Sequence, residues 1–183
     1  MAAMELFDLV NEKDEVIGTT NKEESHRTGS IHRVAAIYVF DKEGKLFVQE
    51  HLKSGRLDHS VGGHVAKGEA YDTAAKREGF EELGLTDPIT FISTFYSDER
   101  ISGVNIRHFF GLYECTPSEE WKFQENEEVK NITPMKIEEI VKLMNASPEK
   151  FTGGFINSME EYIKQSKLPL NLVKQSLKEN KFD

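Results

Sequence analysis

One helical segment set among strand-like stretches is the feature that most constrains this chain. Residues 69–85, EAYDTAAKREGFEELGL, repeat their apolar side chains at the 3.6-residue helical period and close at Gly84, a residue type typical of helix C-termini. Segments rich in β-branched and aromatic residues lie before and after it. This order predicts an α/β fold in which a mixed β-sheet is sandwiched between helices.

The flanking segments predict paired strands. MELFDLV and EVIGTT, around a polar turn at 11–14, predict a hairpin within the N-terminal region 1–30. HRVAAIYVFD and KLFVQEH, around a turn at 42–44, predict a second hairpin. Further strands are predicted over ITFISTFYSDE, over VNIRHFFGLYEC after a turn at Ser102-Gly103, and near 131–135.

The C-terminal region, residues 137–183, predicts additional helices. IEEIVKLMN has helical character, and Ser147-Pro148-Glu149 predicts the start of a second helix, with serine as the cap and proline in the first turn. LNLVKQSLKEN predicts a third helix on the surface. The segment 151–155, FTGGF, is expected to interrupt a helix or form a tight turn near the rim of a cleft.

Length and charge limit the classes of function. A chain of 183 residues without linkers or repeats predicts one domain. Its net charge of −9 argues against a nucleic-acid scaffold or an anionic membrane as partner, and an anionic substrate would need a bound cation. The single cysteine, Cys115, and the acidic N-terminal segment predict a cytoplasmic protein. The longest apolar run, Val34 to Phe40, is too short to span a membrane.

Three carboxylates share one face of the predicted helix. On a helical wheel Glu78, Glu81 and Glu82 lie together, and the opposite flank, formed by Ala75, Gly79, Phe80 and Leu83, should face the core. Carboxylates this close repel one another, and a divalent cation would remove the repulsion. Oxygen ligands suit Mg²⁺ or Mn²⁺ better than Zn²⁺. A solvated acidic helix face is the alternative for the triplet alone.

The spacing around the triplet carries a resemblance to a known family. Gly63 is followed after five residues by Glu69, after seven more by Arg77-Glu78, after two by Glu81-Glu82, and after one by Gly84-Leu85. This pattern over residues 63–85 resembles the Nudix box. Gly79 departs from it, because the family has an aliphatic residue there, and we expect the glycine to cost about 1 kcal/mol of helix stability relative to alanine.

The resemblance implies one Nudix domain over residues 1–183, with the Nudix fold. It implies metal-dependent hydrolysis of a diphosphate linkage in a nucleoside-diphosphate-type small molecule, by attack of water on phosphorus. Glu78, Glu81 and Glu82 would bind Mg²⁺ or Mn²⁺ with the Gly63 carbonyl, and Arg77 would orient a glutamate. Glu69 and Gly84 would support the box. Candidates for the general base are Glu78, Glu127 and Glu128, and the sequence does not choose among them.

Basic and aromatic residues outside the box admit two interpretations each. Arg56 and Lys53, in the loop before the box, are candidates to contact substrate phosphate, with solvated surface charge as the default alternative. Trp121 and Phe123 could stack on a base or anchor their own loop. The sequence leaves open whether the protein is a monomer or a homodimer.

Three further segments are VNEKDEVIGTT, IHRVAAIYVFDKEGKLFVQEH and DHSVGGHVAKGE. In these the chain also resembles isopentenyl-diphosphate isomerase, an enzyme with the Nudix fold. Gly62 stands in place of the catalytic cysteine of that family, and Asn105 and Arg107 fall where its paired glutamates would lie. The isomerase alternative is therefore disfavoured, because its acid and base are missing. A non-catalytic ligand-binding module is the other alternative. Three histidines near the positions of the isomerase metal ligands could form a residual metal site, although hydrogen-bonded structural histidines are favoured: His26, His32 and His64.

Overall fold

The computed structural model describes residues 5–51, 54–101, 103–118, 121 and 129–166. Within these ranges the strands are β1 Phe7–Val10, β2 Val16–Thr20, β3 His32–Val39, β4 Leu46–His51, β5 Leu57–Asp58, β6 Val61–His64, β7 Thr90–Ile101, β8 Val104–Cys115 and β9 Val129–Met135. The helices are α1 Lys22–Thr28, α2 Tyr71–Leu83, α3 Ile137–Ala146 and α4 Gly153–Gln165. None of the helices in these ranges has the length and apolar character needed to cross a membrane.

The N-terminal hairpin is confirmed. Strands β1 and β2 pair antiparallel in a two-stranded sheet. The side-chain oxygen of Asn11 accepts hydrogen bonds from the backbone N–H groups of Lys13, at 2.9 Å, and Glu15, at 3.1 Å. Asp14 adopts a φ of 62°, a left-handed conformation that aspartate tolerates better than most residues. Local side-chain chemistry thus closes this turn.

The second predicted hairpin is wrong as a pairing, although both of its strands exist. Strand β3 lies inside a four-stranded sheet of order β6-β3-β8-β7, and β4 lies inside a three-stranded sheet of order β5-β4-β9. The turn after β3 forms, but only an isolated bridge between Phe40 and Leu46 joins the two strands. Both edges of β3 are already occupied, by antiparallel β6 and parallel β8, so β4 pairs in the other sheet.

Strand β3 is the centre of the core because both of its faces are buried. Val34, Ala36 and Tyr38 pack in a cluster with residues of α3 and α4. The alternate residues, Ala35, Ile37 and Val39, pack in a second cluster with residues of α2. The period of two sends successive side chains to opposite faces. Helices therefore cover both faces of this sheet, and the predicted α/β sandwich is confirmed.

The strand pair after the box and the first C-terminal helix are also confirmed. Strands β7 and β8 pair antiparallel along their length, and the turn between them includes Gly103 with a φ of 84°. Helix α3 covers the segment predicted as helical. Cys115, at the end of β8, is buried.

The start of the second C-terminal helix was placed wrongly. Ser147 makes no side-chain cap, and Pro148–Lys150 form only a 3₁₀ turn. The backbone N–H of Thr152 then donates to the Leu57 carbonyl of β5 at 3.0 Å, which holds the chain extended before the next helix. Helix α4 begins at Gly153, and the Thr152 hydroxyl accepts from the Phe155 N–H at 3.2 Å. The FTGGF segment therefore starts a helix, and the third predicted helix lies outside the described residues.

Candidate functional site

The loop and helix of the box are shaped by local signals. Strand β6 ends at Gly63-His64, and the Glu69 carboxylate accepts from the Ala66 N–H at 2.9 Å in the loop that follows. Helix α2 ends where Gly84 takes a φ of 62° and donates its N–H to the Phe80 carbonyl at 2.9 Å. This left-handed cap is the arrangement that glycine favours. The structural role predicted for Gly84 is consistent with this geometry.

Arg77 connects the acidic residues of the box. Its guanidinium donates to both Glu69 oxygens, at 3.1 and 3.0 Å, and to Glu78 at 2.7 Å. It also donates to Glu81 at 3.3 Å and to the His64 carbonyl at 3.0 Å. The hydrogen bond from Arg77 lowers the pKa of Glu69, and the same bond raises the pKa of the guanidinium. We call the set Glu69, Arg77, Glu78, Glu81 and Glu82 the carboxylate site.

Glu78 lies against the backbone of Gly63. A Cβ atom added at Gly63 would collide with the Glu78 carboxyl group, so this approach needs glycine. Burial raises the pKa of Glu78, and the hydrogen bond from Arg77 opposes the rise. The glycine thus lets a half-buried carboxylate reach the end of β6.

Glu82 is the most buried carboxylate of the predicted triplet, with 8% of its surface exposed. One oxygen accepts from the Gln49 amide at 2.7 Å, and the other accepts from the Gly62 N–H at 3.3 Å. The same Gln49 amide nitrogen donates to the Ser60 carbonyl at 2.8 Å. Sequence reasoning missed Gln49, because its distance along the chain gives no signal that β4 passes beside α2.

The predicted helix faces are partly correct. Ala75, Gly79 and Leu83 are buried as expected. Phe80 is 62% exposed, so its assignment to the core was wrong: the sheet covers a narrower strip of α2 than the apolar flank suggested. Gly79 lies close to β3, and an added Cβ would lie 3.1 Å from Ile37 Cδ1. Gly79, the residue that departs from the box pattern, therefore lies at a close contact between α2 and β3.

The carboxylate site has the donor chemistry for a hard divalent cation. Its candidate ligands are oxygens only, and Glu78 fits into the space that a side chain at Gly63 would fill. In the part of the chain that the structure describes, however, the three glutamates are not a group whose ligand atoms converge on one point. Glu78 and Glu81 are directed to Arg77, and Glu82 to Gln49. The residues fit a cation, and their carboxylates would turn from these partners to bind it.

The remaining predicted residues are only partly described. Arg56 precedes β5, and its positive charge acts against the rise in pKa that burial causes in Glu99. Lys53, Glu127 and Glu128 lie outside the described residues. The Trp121 indole N–H donates to the Leu83 carbonyl at 3.1 Å, and its ring packs against Phe47, which favours the anchoring interpretation. Phe123 also lies outside the described residues.

A histidine cluster lies on the opposite face of β6 and β3. One ring nitrogen each from His32, His64 and His108 lies within 4.8 Å of the others. Burial lowers the pKa of His32 to about 4 and that of His64 to about 3. His26, which the sequence grouped with them, is not part of this set, although its ring centroid lies 6.4 Å from that of His32. His108 takes its place, and only the parallel pairing of β8 with β3 brings it there.

Asp58 of β5, the adjacent His59 and Ser158 of α4 form a hydrogen-bonded Asp–His–Ser series. His59 contacts the Asp58 carboxylate at 2.7 Å and the Ser158 hydroxyl at 2.7 Å. This order resembles a nucleophilic relay, but Ser158 is 0% exposed and its hydroxyl donates to the Phe155 carbonyl at 2.9 Å. These three residues therefore hold α4 against the sheet and offer no nucleophile to a substrate.

Known proteins are similar to this chain in sequence and in fold. The NUDIX domain family matches residues 30–153. The chain is 31% identical over 174 residues to the Nudix hydrolase YfcD of Escherichia coli strain K12, covering 91% of each protein. It is 29% identical over 167 residues to an isopentenyl-diphosphate Δ-isomerase of Serratia proteamaculans, covering 86% of this chain and 90% of the isomerase.

A solved structure shows the similarity in fold. DR0079 from Deinococcus radiodurans superposes with a TM-score of 0.63 at 25% identity, covering 78% of this chain and 90% of that protein. The matched residues include the whole box, with its arginine-centred carboxylates. The chain therefore belongs to the Nudix family and is an enzyme of the Nudix pyrophosphohydrolase type.

Proposed function

We propose that this protein hydrolyses a diphosphate linkage in a nucleoside-diphosphate-type small molecule by attack of water on phosphorus. Glu78, Glu81, Glu82 and the Gly63 carbonyl would hold Mg²⁺ or Mn²⁺. The observation that carries the proposal is Arg77, whose guanidinium hydrogen-bonds to three box glutamates at once. An arginine placed in this way sets the orientation of carboxylates that would otherwise repel one another.

The side chains of the site would position the cation, and the cation would supply positive charge. When bound, a divalent cation would offset the negative charge of the diphosphate and lower the pKa of the attacking water. Without a cation, Arg77 holds Glu78 and Glu81 from one side and Gln49 holds Glu82 from the other, and the carboxylates would turn from these partners to bind the cation. A protein with a net charge of −9 needs such a cation to bind an anionic substrate.

Glu78 is the described candidate for the general base. Its carboxyl group lies against the backbone of Gly63, whose carbonyl is the other proposed ligand at this end of β6. Glu127 and Glu128 stay candidates from the sequence. Arg56 and Lys53 are proposed to contact substrate phosphate, and Arg56 lies near β5, whose Asp58 is paired with Gln49.

The isomerase alternative has less support from the described residues. Gly62 carries no thiol, and the Arg107 side chain donates to the Gly29 carbonyl at 2.5 Å, which ties β8 to the end of α1. Neither position therefore offers an acid or a base for moving a double bond. A non-catalytic binding module would have no need of the complete carboxylate site.

A substrate panel separates the three functions. The purified protein is incubated with nucleotide sugars, dinucleoside polyphosphates, nucleoside triphosphates, coenzymes and isopentenyl diphosphate, with Mg²⁺, Mn²⁺ or excess EDTA. We expect hydrolysis of at least one nucleotide-type diphosphate with Mg²⁺ or Mn²⁺ and none with EDTA. Equal turnover in EDTA would refute the metal-dependent mechanism. Isomerised prenyl diphosphate would support the isomerase, and binding without turnover would support the binding module.

A further inference from the structure

Three neighbouring strands bring three imidazole rings together at one end of the four-stranded sheet. His32 on β3 lies directly opposite His108 on β8 in the parallel pairing. Val34, two residues further along β3, lies opposite His64 on β6 in the antiparallel pairing. Side chains two residues apart share a face, so the three rings meet on the same side. Their ring centroids lie 4.5 Å apart for His32 and His108, and 5.2 Å apart for His32 and His64.

Several nitrogens of this cluster have no hydrogen-bond partner. Among the described residues, His32 Nε2 and both ring nitrogens of His108 are buried without a donor or acceptor. Buried polar side-chain atoms in folded proteins are nearly always hydrogen-bonded. A neutral imidazole has one lone pair and one N–H, so the unpartnered nitrogens offer one lone pair from His108 and one from His32 that another group can occupy. A metal ion or a buried water would do so.

The surroundings of His32 point its free lone pair into the cluster. The Ser30 carbonyl lies 3.3 Å from His32 Nδ1, where only a ring N–H can make a hydrogen bond. That tautomer leaves Nε2 deprotonated and able to bind a cation. A backbone carbonyl that holds the far nitrogen of a histidine is a common second partner of metal-binding histidines.

The rings are also held rigidly. The Phe7 ring stacks on His64 with centroids 4.5 Å apart and on His32 with centroids 5.4 Å apart. Phe7 itself is fully buried. Stacking of this kind restricts the rotation of both imidazoles, so a ligand set would be formed before an ion enters.

We propose that His32, His64 and His108 form a second metal site, which binds a nitrogen-preferring transition ion of the Zn²⁺ class. Three neutral imidazoles, with a water or small anion as fourth ligand, suit tetrahedral Zn²⁺ and not Mg²⁺. The carboxylate site offers oxygens only, so the two sites differ in the ion they select. The ion would join β6, β3 and β8, and its role is to stabilise the sheet behind the box. The proposal does not depend on the hydrolytic activity.

The test compares ion binding in five forms of the full-length protein. Metal is removed with a chelator, Zn²⁺ or Co²⁺ is added, and bound metal is measured by elemental analysis, visible absorption and calorimetry. The variants are His64→Gln and His108→Gln in the cluster, Glu81→Gln in the carboxylate site, and His51→Gln as a matched control. His51 is an exposed histidine at the end of β4, outside the cluster.

We expect wild type, Glu81→Gln and His51→Gln to bind one equivalent of Zn²⁺ and to give the intense visible bands of tetrahedral Co²⁺. His64→Gln and His108→Gln should bind Zn²⁺ at least about 100-fold more weakly, beyond the 10- to 100-fold that loss of an outer partner costs. The proposal is overturned if the cluster variants keep Zn²⁺ affinity, if Glu81→Gln or His51→Gln loses it, or if wild type binds none. Should His108→Gln not fold, X-ray absorption of Zn²⁺-loaded wild type decides, since an oxygen-dominated shell would also overturn the proposal.

Discussion

The carboxylate site and the histidine cluster lie on opposite faces of β6. They differ in whether their polar side chains have hydrogen-bond partners. In the carboxylate site each described acid has a partner, and one guanidinium serves three of them. In the histidine cluster burial lowers the pKa of each ring, and three nitrogens have no hydrogen-bond partner among the described residues. The comparison shows that one sheet can support a charged site by pairing and an uncharged one by burial.

Removing a carboxylate tests the charged side most strongly. Glu81→Gln and Glu82→Gln should each lower kcat/KM for the hydrolysed diphosphate by about 100-fold or more, because each removes a charged ligand. Asp72→Asn is the matched control, since Asp72 is an exposed acid on the same helix, paired with Lys76 at 3.5 Å. If both glutamine variants stayed within about threefold of wild type, the assignment of these residues would fail.

The same two variants should differ in stability. Both Glu82 oxygens accept hydrogen bonds, from Gln49 and from Gly62, and a glutamine amide could accept only one of them. Glu82→Gln should therefore lower the free energy of unfolding by about 1–3 kcal/mol, whereas the exposed Glu81→Gln should change it little. Chemical denaturation of metal-free protein measures the difference. Equal stability of the two would contradict the hydrogen-bonded position of Glu82.

Variants of two glycines should distinguish an effect on activity from an effect on helix packing. Gly63→Ala places a methyl group into the Glu78 carboxyl group, so we expect kcat/KM to fall by about 10- to 100-fold. Gly79→Ala places a methyl group 3.1 Å from Ile37 Cδ1, and this crowding offsets the gain of about 1 kcal/mol that alanine brings to a helix. Its activity should be retained and its stability nearly unchanged. A fully active Gly63→Ala variant would show that Glu78 need not approach this backbone.

The histidine cluster should make the metal-free protein sensitive to acid, with a smaller effect. The pKa of His32 is about 4 in the folded protein and near its ordinary value of 6.5 when unfolded. As the pH falls below 6.5 the unfolded chain takes up a proton that the folded protein does not, so the free energy of unfolding decreases. The expected slope for this group is on the order of 1 kcal/mol per pH unit. Below about 4 the difference stops growing.

Denaturation midpoints between pH 7 and pH 5 measure this slope before most carboxylates titrate. His32→Gln should reduce the slope, because only His64 and His108 of the cluster then contribute, and the exposed His51→Gln should leave it unchanged. An unaltered slope in His32→Gln would mean that the ring is not held neutral by burial.

The sequence was sufficient where the signals are local. Helix α2, its cap at Gly84 and the first hairpin follow from period, turn chemistry and glycine placement within a few residues. The box predicted which residues gather, because Glu69, Arg77 and Glu81 lie on one loop and one helix. Local geometry alone brings them into contact.

The sequence was not sufficient where distant strands decide. The β3–β4 hairpin was predicted because hairpins join neighbours, yet β6 and β8 compete for the same edges of β3 and form its ladders instead. Gln49 and His108 were missed for the same reason, since their partners come from other strands or helices. Phe80 was misplaced because the width of the sheet surface under α2 is a tertiary property.

The order of Gly63 and His64 on β6 has a consequence for changes in chain length. Successive residues of a strand point to opposite faces, so β6 presents Gly63 to Glu78 and His64 to His32. Insertion or deletion of a single residue within this strand would exchange the two faces, blocking the glutamate and removing an imidazole in one step. Substitutions can damage either face separately, but an insertion or deletion in β6 damages both. We therefore expect β6 to tolerate changes of residue type better than changes of length.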